Sequence, residues 1–193
     1  MTIVFDTETT ACVPNEICQL SYLLVDGDAV QGKNKYYSVR RMNPYARDVH
    51  GLSILRLEQL SGGDFFVSGA EEVFHDFSSA RLVVGHGVEN DLRDLRDELR
   101  SCGFLYTPTK ALCTLQYFDQ ALRMRSANGR RKRPSLHDLC VYYGIPSRMI
   151  AERCAEIFGE GDYKAHDARF DACATYLCTL RAQERGDIKG VFT

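Results

Sequence analysis

No apolar run in this 193-residue sequence approaches the ~20 residues that a membrane-spanning helix requires, so no membrane role is expected. An excess of either charge is also missing. Lys and Arg total 24 against 26 Asp and Glu, a formal net charge of −2. The chain is therefore not a general polycation, and any grip on a polyanion must come from a local patch. No internal repeat and no linker divide it. The eight cysteines (Cys12, Cys18, Cys102, Cys113, Cys140, Cys154, Cys173 and Cys178) include no CxxC pair, which argues against a zinc site built on close pairs. Most lie in apolar-periodic stretches such as Leu139-Cys140-Val141 and Tyr176-Leu177-Cys178, as reduced core thiols do. Met1 is followed at once by a strand-like run ending at Asp6, not by a secretory leader pattern. The expectation is a soluble, cytoplasmic protein. With 45% hydrophobic and 10% aromatic residues, residues 1–193 suit a single folded domain whose core needs no staples.

Thr2 to Asp6 reads as a short strand ending in a carboxylate. Cys18, Leu20, Tyr22 and Leu24 alternate with polar Gln19 and Ser21 over the first part, the period of a strand. Asp26-Gly27-Asp28 supplies a turn, and Lys35 to Arg40 reads as the returning strand of a hairpin. Arg81 to Gly85 has the size of a buried strand. Helices are signalled over 70–79, 91–100, about 115–122, 135–144 and about 168–185. Ser135 with Asp138 resembles a capping box, Gly144 can end that helix, and Pro146 blocks its continuation. Asp167 is a plausible N-cap for the last helix, whose stripe is Cys173, Tyr176, Leu177 and Leu180. This order of elements indicates a mixed sheet covered by helices. One compositional break stands out: residues 123–133 hold six basic residues and no acid.

Three segments carry chemistry. Asp6 and Glu8, spaced i, i+2 on an extended segment, project to one side. Like charges that close both stay ionised only with a cation between them; alone, the pair equally describes a solvated strand end. Asp91 opens a helix, where an acid also serves the helix dipole by about 0.3–1 kcal/mol. Its neighbours Glu89, Asp94, Asp97 and Glu98 interleave with Arg93, Arg96 and Arg100 as a solvated face does. If Asp167 caps its helix, His166 lies just outside it and Asp171 within its first turns. That places a movable proton acceptor beside a rigid carboxylate.

Together the three segments resemble the DEDDh branch of the DnaQ-like 3′–5′ exonucleases, the family of polymerase proofreading subunits. Val4-Phe5-Asp6-Thr7-Glu8-Thr9-Thr10 is similar to the family's FDxETT. Val84-Gly85-His86-Gly87-Val88-Glu89-Asn90-Asp91-Leu92 is similar to its GHNxxFD, and His166-Asp167-Ala168 with Asp171-Ala172 to its HDAxxDA. Order and spacing fit over about residues 3–180. Secondary echoes fall at His50-Gly51-Leu52, Cys113-Thr114-Leu115 and Ser135 to Leu139. Three positions depart: Gly87 stands where the family often has Asn, Asn90 where it usually has Phe, and Ala11 where a glycine is common.

The resemblance implies a ribonuclease-H-like α/β fold, with a central mixed five-stranded sheet whose first three strands are antiparallel, flanked by helices. It implies that Asp6, Glu8, Asp91 and Asp171 hold two divalent cations, Mg²⁺ or Mn²⁺, ions that suit hard oxygen ligands. Such a pair, about 3.5–4 Å apart, contacts both attacking and leaving oxygens of a phosphodiester. His166 would be the general base, in keeping with a side chain type that titrates near neutrality; the tyrosine branch of the superfamily is set aside because Asp167 occupies the tyrosine's place. The implied activity is release of nucleoside 5′-monophosphates from a 3′ end, single-stranded or frayed DNA being favoured, in proofreading or repair with a DNA polymerase as a possible partner. RNA stays open, because nothing in the sequence shows what reads the 2′-OH. A non-catalytic nucleic-acid-binding or polymerase-assembly module is the alternative from another class. His50, Gly51 and Leu52 resemble a segment that lines the terminal nucleotide's pocket, and Thr7, Thr9 and Asn90 are further candidates for substrate contact. Arg130, Arg131, Lys132 and Arg133 are candidates for gripping phosphates, the alternative being a solvated loop.

Overall fold

Strand β1 (Thr2–Thr9) sorts its side chains between two cores by simple alternation: Ile3 and Phe5 enter one, Val4 the other. The computed structural model describes residues 1–126 and 128–192. Among these, β1, β2 (Ile17–Asp26), β3 (Ala29–Tyr36), β4 (Leu82–Gly85) and β5 (Ala111–Cys113) form one sheet in the order β3-β2-β1-β4-β5. The first three strands pair antiparallel, whereas β4 joins β1 and β5 joins β4 in parallel. The expected mixed five-stranded sheet with its antiparallel start is the one observed. Eight α-helices accompany it among the described residues: α1 (Pro44–His50), α2 (Ile54–Ser61), α3 (Ala70–Ser79), α4 (Val88–Ser101), α5 (Thr114–Leu122), α6 (Leu136–Tyr143), α7 (Ser147–Phe158) and α8 (Ala168–Glu184). None is long and apolar enough to cross a membrane.

One core lies under α3 and α4, where Val73, Phe77, Leu92, Leu95 and Leu99 meet Ile3, Phe5 and Tyr22 of the sheet. The other lies under α5 to α8, where Phe118, Leu139, Ile150, Cys154 and Cys173 meet Val4, Leu23 and Val84. Helix α8 is buried well beyond the expected stripe. Ala172, Ala174, Thr175 and Thr179 are covered as fully as Cys173, because these small residues let the helix lie between the sheet and α6 and α7. A side chain at Gly32 would overlap Ile157 and Phe158, so α7 rests directly on the backbone of β3. All eight cysteines are free thiols, six of them buried.

The local signals at helix ends hold. Ser135 and Asp138 form the reciprocal capping box of α6, Gly144 ends it in the left-handed conformation, and Asp167 caps α8. The returning strand of the hairpin differs from its expected place. Asp26 pairs with Ala29 and Gln19 with Tyr36, so a two-residue turn sets the register and the strand ends at Tyr36, before most of 35–40. As an edge strand, β3 shows only partial burial and no clean apolar alternation. Helices α1, α2 and α7 also escape the sequence reading. They are short or amphipathic segments whose starts rest on Asn43, Ser53 and Pro146. Pro146, read as a block to α6, also opens α7.

Candidate active site

At the end of β1 the alternation that builds the two cores continues with polar residues. Asp6 and Glu8 share the face of Val4, on which α8 packs, while Thr7 turns to α4. The Thr7 hydroxyl donates to Asp91 Oδ1 at 2.6 Å. Helix α4 starts at Gly87, whose φ of 84° is the left-handed conformation. Glycine takes it without strain and asparagine tolerates it, so the departure from the family's residue preserves the turn. Asp91 then sits in the first turn of α4. Ala11, another of the three departures, keeps a left-handed backbone (φ 49°) where a glycine would be unstrained.

The third segment approaches from α8. His166 precedes the cap with φ 64°, and its backbone N–H donates to Asp171 Oδ2 at 3.0 Å. Its imidazole, a carboxylate oxygen of Glu8 and one of Asp171 lie within 4.8 Å of one another. The charges of Asp91, Asp171 and Glu8 all reach Asp6. Glu8, Asp171 and His166 thus form one tight group, and Asp6 and Asp91 lie near enough for their charges to act on one another.

Electrostatics sharpens the picture. Burial, and then the charges of Asp91, Asp171 and Glu8, raise the Asp6 pKa well above the carboxylate range. Burial and the charge of Asp171 push Glu8 up to about 8. Asp91 is raised to about 6, chiefly by burial, although the Thr7 hydroxyl opposes the shift. Asp171 also rises to about 6 by burial, with the His166 backbone holding it down. Among the described residues no Lys or Arg forms an ion pair with any of the four. Four crowded carboxylates with no Lys or Arg counter-charge among the described residues, presenting hard oxygen donors, fit divalent cations of the Mg²⁺ or Mn²⁺ type.

This predicts an unusual stability profile for metal-free protein. Folded Glu8 keeps its proton up to about pH 8, whereas an unfolded Glu has lost it by about pH 4.5. The folded state then binds more protons, and stability falls as pH rises through that interval. His86, held down to about 4 by burial, acts in the opposite direction below about pH 6.5. Between pH 6.5 and 8 the carboxylates dominate. Chelator-treated protein should lose about 2 kcal/mol over that range, or roughly 4–8 °C in melting temperature. Mn²⁺ or Mg²⁺ should restore it, more at pH 8 than at pH 6.5. A melting temperature indifferent to metal at pH 8 would contradict the arrangement.

Beside the carboxylates runs a cleft of about 1030 Å³ bordered by Asp6, His86, Leu115, Leu136, Phe170 and Asp171 among others. The sequence reading gave no role to His86, which is positioned by buried Thr114: the Thr114 hydroxyl lies 3.0 Å from His86 Nδ1 and donates to the Gly85 carbonyl at 3.2 Å. His50 is buried near the end of β1, its pKa lowered by burial and by the charge of His166, with the Thr9 backbone opposing. Its Nδ1 accepts from the Leu52 N–H at 3.0 Å, and Gly51 caps α1 with φ 79°. Leu52 packs against Cys18, Val39 and Leu57. Thr9 follows a register shift at the end of β1 and is half-buried. Asn90 instead is exposed and accepts from Arg93 at 3.2 Å. The Thr7 hydroxyl, expected as a substrate contact, is engaged by Asp91.

The basic segment bends back on itself through an Arg125–Arg131 bridge; its Ala127 lies outside the described residues. Arg131 pairs with Asp119 of α5 at 2.9 Å and Lys132 with Asp138 of α6 at 2.8 Å, the latter drawing Asp138 down to about 2. Arg130 and Arg133 are exposed. The segment leads straight into Ser135, Leu136 and His137 on the cleft rim.

Known proteins give the arrangement its context. No curated protein matches this sequence. Among solved structures, Escherichia coli exonuclease I in complex with a dT13 oligonucleotide superposes with a TM-score of 0.75 at 16% identity, over 96% of this chain and 41% of that one. Its complex with a dA16 oligonucleotide gives 0.73 at 16% identity, over 95% and 40%. A moderately thermophilic exonuclease I from Methylocaldum szegediense gives 0.73 at 17% identity, over 96% and 41%. This chain thus spans about two fifths of the length of these proteins, and at such identity the likeness establishes the ribonuclease-H-like fold. The exonuclease family RNase_T matches residues 3–178. With its fold, its three motif segments and that match in agreement, the chain belongs to the RNase_T exonuclease family, within the DnaQ-like 3′–5′ exonucleases.

Proposed function

We propose that this chain, as one domain over residues 1–193, is a divalent-metal-dependent 3′–5′ exonuclease. It removes nucleotides from single-stranded or frayed DNA as nucleoside 5′-monophosphates. The observation that carries this reading is the crowding of Asp6, Glu8, Asp91 and Asp171, with no Lys or Arg paired to them among the described residues, beside a histidine and an open cleft. When bound, divalent cations neutralise charge on the phosphate and favour ionisation of the attacking water. The four carboxylates hold them. Thr7 orients Asp91, Asp171 anchors the backbone of His166, and the His166 imidazole takes the proton of the attacking water.

The walls of the cleft supply the rest. Leu115, Leu136, Ile145 and Phe170 offer apolar surface on which bases of any sequence pack, since every base has an apolar face. His50, Gly51, Leu52 and Thr9, grouped near the end of β1 outside the lining of the cleft itself, are the residues assigned to the terminal nucleotide on the family resemblance. Arg130 and Arg133, exposed in the segment that leads to the cleft rim, are the candidates for tracking phosphates, while Arg131 and Lys132 fasten the segment to α5 and α6. The oligonucleotides bound by the exonuclease I structures favour DNA as the substrate class. A DNA polymerase is the partner that a proofreading role would require.

The test uses one DNA strand labelled at its 3′ end, with Mg²⁺ or Mn²⁺ and with or without chelator. Release of the label as a mononucleotide, abolished by chelator, is expected. No chelator-sensitive release would favour a binding module that keeps the fold, and faster digestion of the matching RNA would move the assignment to an exoribonuclease.

A further inference from the structure

The residue paired with Glu8 across β1 and β2 is Gln19, so its side chain belongs to the carboxylate face of the sheet. It is 1% exposed; its amide donates to Asn34 Oδ1 of β3 at 3.0 Å and otherwise serves the start of α8. Nε2 donates to Asp167 Oδ1 at 3.0 Å, and Oε1 accepts from the Ala168 N–H at 3.3 Å. Arg169 grips the same carboxylate from the other side, with Nε on Oδ1 at 2.9 Å and Nη2 on Oδ2 at 2.6 Å. The guanidinium in turn rests 4.7 Å from the centre of the Tyr163 ring.

We propose that Gln19, together with Arg169, is a positioning residue for His166: by clamping Asp167 at the start of α8, they hold the histidine in its left-handed conformation over Glu8 and Asp171. A non-glycine residue at φ 64° is strained and persists only where its surroundings over-determine it. On one side the His166 N–H is held by Asp171. On the other, the Asp167 N–H donates to the Lys164 carbonyl at 3.1 Å, and the Asp167 carboxylate is locked by the clamp. Arg169 has a second effect. The charge of Asp167 reaches both Asp6 and Glu8, and the bidentate pair keeps this fifth carboxylate turned to the arginine and away from the role of a ligand.

The catalytic consequence rests on the exonuclease reading, but the positioning itself is measurable without activity. Gln19→Leu keeps size and removes both hydrogen bonds to the start of α8, together with the one to Asn34 of β3. It should lower kcat about 10- to 100-fold, the scale of a misplaced catalytic group, with KM changed less than about threefold. In a His166→Ala background the same substitution should cost nothing further, since it acts through the imidazole. In metal-free protein the His166 ring resonances should shift and broaden in Gln19→Leu. Unchanged kcat and ring resonances, or an equal loss in both backgrounds, would overturn the proposal. If Gln19→Leu does not fold, Arg169→Gln carries the same cycle and spectra. If the unmodified chain shows no chelator-sensitive activity, the exonuclease reading fails, and the ring spectra alone decide the clamp.

Discussion

Asp171→Ala or Asp6→Asn should abolish nucleotide release, by about 10³-fold or more, while the protein stays folded. The size follows from the several kcal/mol that bound cations contribute to charge stabilisation in a phosphodiester transition state, at 1.36 kcal/mol for each tenfold in rate. The carboxylates share the load and none is replaceable from nearby. Thr7 already orients Asp91, and Asp167 is tied to Arg169 and Gln19. The accompanying effect on stability has the opposite sign. Asp6 is buried among like charges, so Asp6→Asn removes a repulsion and should raise the metal-free melting temperature at pH 8 while lowering the stabilisation gained from Mn²⁺. Thermal melts with and without chelator, beside the release assay, check both halves. Ordinary kinetics in either variant would count against the assignment.

His166→Ala should slow release by about 10²–10⁴-fold, the usual worth of a positioned general base, and leave DNA affinity nearly intact. His166 is exposed at the approach to α8, so its ring contributes little to either core. The backbone N–H that contacts Asp171 survives the substitution, which separates removal of the base from disturbance of the carboxylate. A variant that loses affinity and keeps its rate would assign His166 to substrate binding instead.

Much of the site was legible because its parts are local. Asp6 and Glu8 share a face by strand alternation, and Asp167 and Ser135 announce helix starts through chemistry spanning two or three residues. Departures from the family pattern at Gly87 and Ala11 also proved local, both keeping a left-handed backbone. Less legible were features whose signal is weak within a short window. Edge strand β3 lacks an apolar rhythm, and α1 and α2 run to only 7 and 8 residues, so their caps carry more information than their periodicity.

Residue order along the chain was enough to mark the hairpin turn and the helix caps, since each depends on neighbours a few positions away, while the acids and the histidine became candidates through the resemblance of three motif segments to a known family. Folding alone decided that Gln19 faces Glu8 and reaches Asp167, that the Thr7 hydroxyl is given to Asp91, and that Arg131 and Lys132 are held by α5 and α6 while Arg130 and Arg133 stand free of the sheet and its cores. The physical reason is register. A side chain's partner across a sheet or between helices is set by how whole elements pack, over separations as long as the 148 positions between Gln19 and Asp167, and local propensity does not encode that choice.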